Sequence, residues 1–184
     1  MTFLPDDYKP PAASGGNYTK LVQGKNNLRI IGSAITGWLG WTRKEVDGEE
    51  KAAPVRTKDK PANGTYEETP KHIWACPVWN HDLGCIQIWE IPQASIREQL
   101  LEIVNDSDWG DPKQYDVCVQ RNGEGLLTTY TTVPKPPTTL SEAALSEIRE
   151  KLPLINLEAL YTGDDPFAAM APQTNDDDPF GTTP

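Results

Sequence analysis

Four tryptophans of this chain stand close to cations. Trp38 and Trp41 precede Arg43 and Lys44, and Lys71 and His72 precede Trp74, with Trp79 a little further on. Such groupings suit unpaired nucleic-acid bases: every base has a π-face, an aromatic side chain stacks on it for about 1–3 kcal/mol, and nearby cations hold the phosphates. Trp38, Trp41, His72, Trp74 and Trp79 are the candidates for bases. Arg43, Lys44, Arg56, Lys58, Lys60 and Lys71 are the candidates for phosphates. The competing reading is structural. Trp89 and Trp109 suit a core, and Glu45, Asp47, Glu49, Glu50 and Asp59 lie among the cations as in any solvated loop. Alternation in KHIWACPVW sets His72, Trp74, Cys76 and Val78 on one face of a strand and Ile73, Ala75 and Trp79 on the other, so Trp74 and Trp79 cannot stack bases from one wall.

His72, Cys76, His81 and Cys85 contain both kinds of zinc-binding side chain. Their spacing is wider than the close pairs of structural zinc sites, and a strand cysteine is more often a small buried apolar residue; no metal is expected. The chain has two histidines, no glycine-rich phosphate loop ending in Lys-Ser/Thr and no Gly-x-Ser-x-Gly. A nuclease holding Mg²⁺ through His81, Asp82 and other carboxylates is the enzymatic alternative. The expectation is binding without catalysis and without a cofactor.

The elements that must position these residues are mostly strands. LRIIGSAI reads as a strand bent at Gly32, and 43–66 as a polar loop with a short strand near 54–58. KHIWACPVW and CIQIWEI flank Asn-His-Asp-Leu-Gly as a hairpin, and YDVCVQ and LLTTYTTV flank Arg-Asn-Gly-Glu-Gly as a second. Between them, Ser95-Ile-Arg-Glu98 opens an amphipathic helix with capping-box spacing. Thr139-Leu-Ser-Glu142 opens another. Three strands, a helix and two strands match a five-stranded OB barrel with its helix between strands 3 and 4.

The expected organisation is a flexible arm over 1–17, the barrel over 18–137, a helical extension packing on it over 138–161, and a disordered acidic tail over 162–184. Three cysteines suggest free thiols and a reducing cytoplasm, and no apolar run is long enough for a membrane span. The net charge of −10 argues against a polyanionic partner until its distribution is read. Up to Ala75 there are 11 basic and 9 acidic residues; from Cys76 to Pro134 there are 3 and 9, and from Lys135 to the end again 3 and 9.

The ordered blocks GWLGW, PVRTKDKP, KHIWACPVWN and DWGDPKQYDVCVQRNGEGLLTTYTTVPKPP, spread over 18–137, resemble phage-encoded single-stranded DNA-binding proteins with an OB fold. The resemblance implies sequence-independent coating of single strands during phage replication, recombination and repair, in the host bacterial cytoplasm. The tail separately resembles that of bacterial single-stranded DNA-binding proteins, whose acidic segment ends in Asp and then Pro-Phe. Asp176, Asp177, Asp178, Pro179 and Phe180 supply those residue types, which implies recruitment of replication and recombination proteins. Residues 181–184 follow, so a pocket that needs a terminal Phe carboxylate is not served. The alternative is an interaction adaptor whose working parts are the two Asp-Asp-Pro-Phe segments, at 164–167 and 177–180.

Overall fold

A computed structural model describes residues 16–170; the arm before them and the segment 176–180 lie outside the described residues. Seven strands form an open, antiparallel sheet: β1 (Gly24–Ile30), β2 (Ile35–Val46), β3 (Glu49–Thr57), β4 (Lys71–Asn80), β5 (Cys85–Ile91), β6 (Asp116–Asn122) and β7 (Thr129–Lys135). Their order is β3-β2-β4-β1-β6-β7, with β5 on the other edge of β4. α1 (Ala94–Asn105) follows β5; α2 (Glu142–Lys151) and α3 (Ala159–Thr162) follow β7.

β4 is the hub. Its first half pairs with β2, its second half with β1, and its far edge with β5. A strand with neighbours on both edges and cover on both faces needs apolar residues at both alternations, and KHIWACPVWN supplies them. The β4–β5 hairpin forms where the sequence places it: the Asn80 side-chain oxygen accepts from the backbone N–H groups of Asp82 and Leu83, and Gly84 takes φ +65°. The bend at Gly32 divides the expected first strand into β1 and β2. An ideal Cβ there would lie 2.6 Å from Pro77 Cγ, so the corner admits no side chain.

The expected loop over 43–66 is instead, up to Thr57, a long hairpin. β2 and β3 pair from Trp38↔Thr57 to Val46↔Glu49. Asp47 (φ 55°) and Gly48 (φ 78°) form the two-residue turn, and positive φ at both positions is the geometry that twists with the flanking strands.

The helices start elsewhere than capping boxes suggest. α1 begins at Ala94 with Gln93 as an N-cap that makes no side-chain bond, so Ser95 lies inside the helix. α2 begins at Glu142, capped by Ser141, whose hydroxyl accepts from the Ala144 N–H at 3.1 Å.

Two layers of core result. On the inner face of the sheet, Leu28, Val78, Trp89, Val117 and Val119 pack against Ile96 and Leu100 of α1. On the outer face, the chain after β7 covers β4 and β5: Trp79 and Ile86 pack with Ala144 of α2, and Ala75 and Ile88 with Leu160 and Phe167. Residues 162–170 of the expected tail are therefore part of this cover, and 171–184 lie outside the described residues. Gly163 ends α3 with φ 79°, the Asp165 side chain accepts from the Phe167 N–H at 2.9 Å, and Phe167 is 8% exposed. The adaptor alternative makes 164–167 a working part, whereas here the acidic residue before the proline shapes the turn that buries Phe167.

The seam between β5 and β7 is not bridged by a ladder. At its β7 side, the Gln99 amide of α1 donates to Tyr130 O and accepts from the Thr132 N–H, filling two backbone positions where a neighbouring strand would bond. At its β5 side, Thr19 N–H donates to Ile88 O and Ile88 N–H to Asn17 O. Elsewhere, buried Asp116 ties three segments together: Oδ1 accepts from Arg29 Nε at 2.7 Å and meets His81 Nε2 at 3.0 Å, and Oδ2 accepts from Thr138 N–H. No helix among the described residues is long and apolar enough to cross a membrane.

Candidate nucleic-acid interface

Register decides which aromatic residues share a surface. Trp38 lies opposite His72, and Thr36 opposite Trp74; directly paired residues point to the same side of a sheet. Trp38, His72 and Trp74 therefore lie on the inner face, beyond the core under α1. The Trp38 and His72 rings meet edge to face at 5.3 Å. Gly40 shares this face, and an ideal Cβ on it would lie 2.5 Å from the Tyr66 ring. The missing side chain lets Tyr66 lie against the strand as a further aromatic, one that sequence reading passed over.

The cations of this face are sorted as well. The Lys60 ammonium stands 5.2 Å from the Trp38 ring centroid. Lys44 and Lys51 are direct partners in the β2–β3 ladder, on the Trp38 side by alternation. Like charges so placed repel, and Glu49, on the same side at the hairpin tip, stands 3.8 Å from the Lys51 ammonium. The reverse side of the hairpin end carries Glu45 opposite Glu50, with Glu67 holding Arg43 at 3.1 Å. Burial, and after it the charge of Arg97 on α1, lowers the His72 pKa below the ordinary imidazole value. Lys51 escaped the sequence reading because the charged run at 43–51 shows its sorting only once the strand period is known.

Other candidates lie elsewhere. Trp41 is 40% exposed but sits on the outer side with Arg43, beside Glu50, Glu67 and Glu68. Lys71 falls on that side too. Arg56 forms a double-bonded, largely buried ion pair with Glu90; burial works to lower its pKa, and the Glu90 bond and charge outweigh it. Its guanidinium, over the Tyr18 ring, is a structural tie rather than a free phosphate ligand. Trp79 is 6% exposed and offers no face to a base, because the C-terminal extension covers its side of β4. Lys58 is exposed just after β3.

From Trp74 the inner face continues into an apolar groove of about 320 Å³ walled by Ile30, Ala34, Leu101 and Val104, with Asp111 and Lys113 also lining it. Cys76 lines it too, but burial pushes its thiol up to about 12, so it serves as apolar wall and not as a nucleophile. The three cysteines are free. Of the zinc candidates, His81 is bonded to Asp116, and no cluster of three or more ligand side chains occurs among the described residues. Comparison with family models, curated proteins and solved structures finds no match to this chain.

Proposed function

We propose that this protein binds single-stranded DNA without catalysis, along the inner face of β2, β3 and β4. The observation that supports the reading is the sorting of that face: Trp38, Tyr66, His72 and Trp74 on the same side as Lys44, Lys51 and Lys60, with Glu45 and Glu50 on the reverse and Glu49 alone among the ladder's carboxylates beside the lysines. Bases stack on Trp38 and Trp74, phosphates follow Lys60 and the Lys44–Lys51 pair, and the groove at Leu101 and Val104 receives the apolar side of a further base. None of these contacts reads a base edge, so the path is indifferent to sequence.

In this reading the open sheet is an OB-type barrel. β1 and β2 are its bent first strand, β4 and β5 its second and third, α1 the helix before its last two strands, and the β2–β3 hairpin an extended first loop. OB barrels also bind RNA, and the contacts proposed here do not involve a 2′-hydroxyl. The reading also assigns Asp176, Asp177, Asp178, Pro179 and Phe180 to recruiting replication or recombination proteins in a phage-infected bacterium. An adaptor presenting both Asp-Asp-Pro-Phe segments is less favoured, since Phe167 belongs to the core.

The test is tryptophan fluorescence during titration with oligothymidylate at low and high salt. Quenching that weakens steeply with salt supports the proposal. Unchanged fluorescence together with no shift on a gel overturns it.

A further inference from the structure

Four buried side-chain polar atoms bond nothing among the described residues: Trp89 Nε1, Gln93 Oε1, Arg121 Nε and Thr132 Oγ1. The first three belong to residues lining a single cavity of about 320 Å³ at the seam, away from the stacking face and its groove. Buried polar groups are nearly always partnered. Three that are not, gathered at one cavity, mark a place built for a ligand with complementary groups.

We propose that this cavity holds one pyrimidine base of the bound strand, an inference that rests on the single-strand reading above and adds a selective position to it. The groups present are two N–H donors and one amide carbonyl. A pyrimidine edge offers the complement, two acceptors and one donor, in both thymine and cytosine. Guanine offers one acceptor and two donors, and adenine one of each. Tyr130 and Pro92 supply flat apolar walls for the ring. The place suits the path: Ile91 is the partner of Trp74 in the β4–β5 ladder and lies just before Pro92 and Gln93.

The three atoms are closed to solvent, so a base reaches them when the neighbouring wall, residues 18–21, yields. That wall is held by the Thr19–Ile88 backbone bond at 2.9 Å, by Arg121 Nη1 donating to Leu21 O at 2.7 Å, by the Gln87 side chain bonded to Thr19 and Tyr18, and by the packing of Leu21 and Tyr18 on the cores.

The experiment compares oligomers of equal length, dT, dC, dA and N3-methylthymidine, on the full chain and on Trp89→Phe, which keeps an aromatic ring there and removes the N–H together with part of the ring volume. Wild-type protein should bind N3-methylthymidine about tenfold more weakly than dT, a loss worth one hydrogen bond with its unpaired partner. Trp89→Phe should lose a similar factor on dT and dC and nothing on dA. Equal binding of dT and its N3-methyl form by the wild type overturns the pocket and leaves the stacking face standing. So does an equal loss by the variant on all oligomers. If Trp89→Phe does not fold, the wild-type comparison decides alone. Failure of every oligomer to bind overturns both proposals.

Discussion

Lys60 lies over the ring of Trp38, 5.2 Å from its centroid. On the path proposed above, a base stacking on this ring face would displace the ammonium toward its own phosphate. Lys60→Ala should therefore lower the magnitude of the salt slope of binding by about 0.7, the share of one phosphate contact on a single strand. Affinities measured at four or more salt concentrations check it; an unchanged slope would place Lys60 off the path.

Trp38→Ala and Trp74→Ala should each weaken single-strand binding by about 1–3 kcal/mol, roughly 5- to 150-fold. Trp41→Ala, on the acidic side of the same hairpin, should change affinity by less than about threefold. The contrast between Trp38 and Trp41, measured side by side by fluorescence anisotropy, tests the face assignment. Equal losses would argue that DNA wraps both sides.

The alternation that sets Trp74 and Trp79 on opposite faces was readable in the chain, and the β4–β5 hairpin was too, because Asn80 to Gly84 sits between two runs of clear period. The β2–β3 hairpin was missed. Its far half, Thr42 to Ala53, meets little or no core on either side, so no hydrophobic period marks it. The signal was Asp47-Gly48, the two-residue turn pair, between runs of nearly equal length. Trp79 was legible as facing away from Trp74 but not as buried, since its cover comes from α2, far along the chain. Tyr66 was invisible as a site residue because its place depends on Gly40 having no side chain.

Phe167→Ala should destabilise the fold by about 3–5 kcal/mol, the usual cost of deleting a buried phenylalanine side chain, and leave DNA affinity of the folded protein intact. Denaturant midpoints with a constant slope measure the first, and titration below the transition the second. A near-zero stability change would return residues 162–170 to the tail.

Asp116 contributes to the acid stability of the fold. Burial works to raise its pKa, and the bonds from Thr138, Arg29 and His81 outweigh that and hold it below the ordinary carboxylate value. A depressed folded pKa contributes stability that is fully present above the unfolded value, near pH 4, and is lost as pH falls through the folded value beneath it. Wild-type stability should drop over that acidic interval. Asp116→Asn should cost about 3–5 kcal/mol near neutrality by leaving Arg29 without its counter-charge, and should flatten the drop. Urea melts across pH 2–7 read both.

Gln99 gives β7 a neighbour made of one side chain. A strand edge fastened by a ladder releases its amides only when the ladder breaks, whereas the Thr132 amide is guarded by a group that can swing away on its own rotamers. Its hydrogen should exchange with solvent through that small local opening, far faster than the amides of β4, whose exchange waits on global unfolding. The sheet can thus part at one line while its centre keeps time with the whole molecule.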